Sequence, residues 1–127
     1  MSSKVAMARA MTEDELLTAL VEGALLLGWW VHHSRRSDLA KTMGTKGLPD
    51  LVLAKDGRVV FMELKDERGQ LTSDQWGWLL ALEPGAAAML DPMSHDRLGR
   101  VTALLVRPSH LDYVLALLAG GAGVSNG

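Results

Sequence analysis

The chain has 127 residues, no cysteine, 48% hydrophobic residues and a formal net charge of −2. That length supports one domain with a single modest core and leaves no room for a second catalytic module. The missing cysteines exclude a disulfide framework and a thiolate zinc site, which suits a reducing cytoplasm. The small negative charge excludes a generally adhesive DNA binder, so any nucleic-acid contact must be local.

Met1 to Met11 shows no firm pattern and is expected to be a flexible leader; no signal peptide or membrane-length apolar run is visible. Thr12 then opens a helix, with Glu15 three residues on completing a capping box, and Gly28 closes it. Leu16, Leu17, Leu20, Ala24 and Leu27 form one apolar stripe. At roughly 100° per residue, Glu13 falls on that stripe and Glu15 and Glu22 point away. Glu13 is the acid expected to face inward, unless it is only a favourable first-turn charge.

Trp29 to His33 reads as a short aromatic strand with Trp29, Val31 and His33 on one face. Adjacent His32 and His33 diverge and make a poor chelating pair. A polar loop follows and carries Arg35, Arg36, Lys41 and Lys46 into Gly47-Leu-Pro-Asp50. A basic loop beside a carboxylate is a place for a phosphate backbone to be drawn in, or else ordinary solvated charge.

Asp50 opens the strand Leu51 to Ala54, Lys55-Asp-Gly57 is a turn, and Arg58 to Lys65 is the return strand of an antiparallel hairpin. On the return strand Val60, Met62 and Leu64 share one face, and Val59, Phe61, Glu63 and Lys65 the other. A face that begins apolar and ends charged suggests a pocket entered from a buried sheet. The hairpin should set Asp50 near Glu63 and Lys65. Two carboxylates and the main-chain carbonyl of Leu64 would offer Mg2+ or Mn2+ oxygen ligands, and the Lys65 ammonium could hold a water or offset charge on a phosphorane. The plainer alternative is a same-face ion pair between Glu63 and Lys65, with Asp50 capping a turn.

Asp66 to Gln70 is a turn, Thr72 and Gln75 again have capping-box spacing, and a helix runs from Ser73 to Leu82. Gln75 either caps that helix or touches the site or the DNA. Trp76 and Trp78, two apart, cannot share a helix face; one is expected in the core and the other exposed or at a subunit contact. Ala86 to Leu90 is a short helix or strand and Asp91 to Gly99 a loop. Val101 to Val106 is a strand, Ser109 caps a last helix from His110 to Leu118, and 120–127 is a flexible tail.

Gly47-x-Pro-Asp50, Glu63-x-Lys65 and Gln75 together resemble the PD-(D/E)xK nuclease superfamily. The helix ending in Gly28-Trp29 and the segment Gly69-Gln-Leu-Thr-x-x-Gln75 narrow the resemblance to its VRR-NUC branch of small phage and bacterial domains akin to Holliday junction resolvases. It spans roughly Thr12 to Leu118, and residues 86–100 depart from it. The resemblance implies an α/β fold with a restriction-endonuclease-like core, αβββαβα around a mixed four-stranded sheet, over residues 12–119. It implies a metal-dependent DNA endonuclease selective for branched DNA, with Asp50, Glu63 and Glu13 at the metal, Lys65 at the nucleophilic water and Gln75 at the site. High apolar content suggests a two-fold homodimer; no organic cofactor or membrane is expected. A less selective repair or restriction-type nuclease, and a catalytically silent DNA-binding module, are the alternatives.

Overall fold

A computed structural model describes residues 11–34, 43–83 and 90–120. Arg35, Arg36, Lys41, the leader up to residue 10, the 84–89 segment and the tail from 121 lie outside the described residues. Helix α1 (Glu13–Leu26) leads into β1 (Trp30–His33), β2 (Leu51–Lys55) and β3 (Arg58–Leu64). Helix α2 (Ser73–Leu82), a 3-10 turn (Pro92–Ser94), β4 (Val101–Val106), a second 3-10 turn (Pro108–His110) and α3 (Leu111–Ala119) complete the chain. The order αβββαβα is the one expected from the sequence.

Strands lie in the order β1-β2-β3-β4, the first two pairings antiparallel and β3–β4 parallel. The hairpin closes on Asp56 (φ 51°) and Gly57 (φ 78°) between the paired residues Lys55 and Arg58, the two-residue geometry that matches strand twist. A parallel pair needs a crossover, and α2 is part of it. The sheet is therefore mixed and has helices on both faces.

Alternation along each strand divides the molecule into two cores. Leu51, Leu53, Val60, Met62, Leu64, Leu104 and Val106 face α1 and α3, where they meet Leu16, Leu20, Ala24, Val114, Leu117 and Leu118. Leu16 and Leu20 are fully buried, each contributing about 1.5–3 kcal/mol. The opposite face carries Ala103 and Leu105 against Leu79 of α2 and Leu90, a smaller core. Glu63, between Met62 and Leu64, belongs to that α2 side.

Both capping boxes form. Thr12 Oγ1 accepts the Glu15 amide at 3.1 Å while Glu15 Oε1 accepts the Thr12 amide at 3.0 Å, and these bonds hold the Glu15 carboxyl below its usual range. The last helix departs from expectation. Ser109 lends it no side-chain cap; its own amide donates to Glu67, and His110 Nδ1 accepts the Arg107 amide at 3.1 Å. A proline at the first position gave the entry a tight 3-10 turn instead. The expected loop 91–99 contains the other 3-10 turn and buries His95 and Leu98, so it is packed structure. Neither Trp76 nor Trp78 is a core residue: Trp76 is exposed, and Trp78 is half-buried with Nε1 donating to the Thr45 carbonyl at 3.2 Å. Leu79 fills the small core that one of them was expected to fill. No helix among the described residues is long and apolar enough to cross a membrane.

Candidate active site

Gly47 sets the approach to the site. Its φ is +97°, and a β-carbon placed there would stand 2.7 Å from the Asp74 carbonyl carbon, so the loop lies directly against the first turn of α2. Only glycine combines that φ with that approach at low cost. Pro49 is buried next to it, and Asp50 emerges where β2 begins.

The ladder between β2 and β3 ends at the pair Leu51–Met62. One step further, the side chain of Asp50 continues it: Oδ2 accepts the Leu64 amide at 2.8 Å, across 14 residues of sequence. The Asp50 carbonyl meanwhile accepts the Ser34 amide at 2.9 Å, extending the β1–β2 pairing. Asp50 is 6% exposed and is thereby fixed from both sides.

Glu63 has no accessible surface. Its Oε2 accepts Gln75 Nε2 at 3.1 Å and lies 4.0 Å from Lys65 Nζ. Gln75 Oε1 at the same time accepts the Thr72 amide at 2.9 Å. The capping role and the site contact, open alternatives in the sequence, are thus performed together by the two ends of one amide. The turn after Lys65 is fixed as well: Arg107 Nη1 donates to the carbonyls of Asp66 and Gly69 at 2.7 and 2.6 Å.

Glu13 is half-buried and lines a cavity of about 220 Å³ together with Asp14, His33, Ser34, Asp50 and Leu64. The structure therefore brings Glu13 to Asp50, and Lys65 and Gln75 to Glu63. Asp50 links the two groups through the Leu64 amide, but Glu63 is not part of the cavity wall. Among the described residues no three Asp, Glu, His or Cys side chains form a group placed to hold a metal. Asp50 and Glu63 are instead a pair on neighbouring strands. Lys46 is exposed, one residue before Gly47.

Asp14 and His33 were missed as cavity residues. The available signal was register: His33 pairs with Leu51, which places it beside Asp50. Comparison of the chain with family models, with curated proteins and with solved structures finds no match to any of the three.

Proposed function

We propose that the chain is a divalent-metal-dependent DNA endonuclease with a restriction-endonuclease-like core, of the PD-(D/E)xK kind. The observation that carries this reading is the buried carboxylate of Asp50 bound to the Leu64 amide, which joins the Pro-Asp and Glu-x-Lys segments at one end of the sheet. Mg2+ or Mn2+ commonly takes one or two protein carboxylates and fills its remaining positions with water and phosphate oxygens. Two carboxylates on neighbouring strands suit it as donor chemistry: Asp50 and Glu63 would hold it, with the Leu64 carbonyl adjoining, once Glu63 turns from Gln75 toward the cavity that Asp50 lines.

When bound, such an ion would supply Lewis acidity and lower the pKa of a coordinated water. Glu13 reaches the cavity that Asp50 lines and would support the ion directly or through water. Lys65, beside Glu63, stabilises negative charge at the scissile phosphate and orients the water that attacks it. Gln75 holds the Glu63 carboxylate in one orientation. Lys46, with Arg35, Arg36 and Lys41, draws the phosphate backbone toward the acidic cavity, and a two-fold homodimer would present two such sites to a branched DNA in the cytoplasm. Exposed Leu26 and Trp30, at 89% and 81% accessibility beside edge strand β1, favour an apolar subunit contact.

A second reading has one specific observation behind it. Glu63 is closed over by Gln75 and Lys65, as expected for a DNA-binding module that keeps the arrangement without turnover. Four-way junctions, flaps and linear duplex incubated with Mg2+, Mn2+ or chelator distinguish the two. The endonuclease reading expects metal-dependent cleavage that falls by about 100-fold or more in Asp50→Asn, Glu63→Gln and Lys65→Ala. Cleavage that survives all three substitutions would refute the residue assignment, and parent protein that binds these DNAs but cuts none would establish the silent module.

A further inference from the structure

At the other end of the sheet, about 17 Å along β2 from Asp50 at the usual strand rise, lies a cavity of about 390 Å³. Its floor is apolar: Trp29, Leu98, Leu117 and Leu118 are all buried. Its rim carries Lys55, Arg58 and Arg97 against one acid, Asp56. In a chain whose net charge is −2, that is a local excess of positive charge.

Two of the polar groups here already have structural duties. Lys55 Nζ donates to the Leu27 carbonyl at 2.6 Å, and Trp29 Nε1 donates to the Leu118 carbonyl at 2.9 Å. Those carbonyls end α1 and approach the end of α3, where the helix dipoles concentrate negative charge. With both carbonyls satisfied, the opposition they would offer to an anion is reduced. Neither Arg58 nor Arg97 forms an ion pair with a described carboxylate, and both are exposed at the rim. Two arginine forks without a carboxylate partner, above a buried apolar floor, match a phosphate carried on an apolar or aromatic body. The volume lies in the range of small-molecule pockets, which begins at about 300 Å³, and exceeds what a bare phosphate needs.

We propose that this cavity is a second ligand site that takes an organic phosphate of mononucleotide size, with Arg58 and Arg97 on the phosphate and the Trp29–Leu98–Leu118 floor under the body. The proposal is independent of the nuclease reading. Calorimetric titration of the full chain, in chelator so that no turnover intervenes, tests it with deoxyadenosine 5′-monophosphate, deoxyadenosine and inorganic phosphate as probes. Saturable binding of the monophosphate is expected, weakened about tenfold or more by loss of the phosphate, by loss of the nucleoside, or by Arg58→Gln with Arg97→Gln. Arg100→Gln, exposed and outside the cavity wall, should bind as the parent does. Competition by a single-stranded oligonucleotide with internal phosphates only would support the site and assign the phosphate to a nucleic-acid backbone; monophosphate binding without such competition would support it and assign a free monoester. No saturable binding of the monophosphate, or binding unchanged in the double arginine variant, would overturn the proposal.

Discussion

Asp50 is placed to act both as a structural acceptor and as a chemical group, and two substitutions separate the roles. Replacing it with alanine removes the partner of the Leu64 amide, a donor in a residue that is 1% exposed and bonded to Asp50 Oδ2 at 2.8 Å. Leaving a buried donor unsatisfied costs about 1–3 kcal/mol. For a domain of this size that corresponds to a fall in Tm of about 3–10 °C. Asparagine retains a carbonyl oxygen at the same reach and gives up only the charge assistance, so Asp50→Asn should lose about 1 kcal/mol. Urea denaturation followed by tryptophan fluorescence gives both values, and amide hydrogen exchange at Leu64 reports the bond itself. The expected pattern is a marked loss for alanine and a small one for asparagine, while cleavage disappears in both. Equal destabilisation by the two substitutions, or unchanged Leu64 exchange in Asp50→Ala, would refute the claim that this carboxylate completes the strand ladder.

Gly47→Ala should be more damaging than any exposed loop substitution, because a φ of +97° costs about 1–2 kcal/mol and the new methyl meets Asp74 backbone at 2.7–2.8 Å; a parent-like denaturation midpoint would contradict the close approach. Burial pushes the His110 imidazole below its ordinary value of 6.5, against the opposing pull of Asp91 and Glu67. The unfolded chain therefore binds the proton more readily, so stability contributed by neutral His110 is present above pH 6.5 and is lost as the pH falls from there toward the depressed folded value. His110→Asn should flatten the dependence of Tm on pH across that interval; an equally steep dependence in the variant would place its origin elsewhere.

The hairpin was legible because its signals agree: Asp56-Gly57 prescribes the turn, and the turn dictates which residues of the two strands meet. That alone brought Asp50 to the Glu63 segment. The two helix starts were legible for a similar reason, since a capping box is a local arrangement within four residues. What the sequence did not reveal was the division between the sheet faces near Asp50. Glu63 turns to the α2 layer, whereas the Asp50 cavity opens toward Glu13 and Asp14 of α1. That separation depends on where strand pairing stops, a tertiary outcome that periodicity does not encode. The 91–99 segment is the loop that its proline, serine and aspartate prescribe, but the burial of Leu98 and His95 under neighbouring elements has no local signal.

The side-chain amide of Gln75 couples the start of a helix to a buried carboxylate. Because its oxygen is committed to Thr72, its nitrogen has only one direction left, and Glu63 lies there. Fraying of the first turn of α2 would therefore undress Glu63 in the same motion, so uncovering this acid is a matter of helix-end breathing, whose rate any partner gripping residues 72–76 would control.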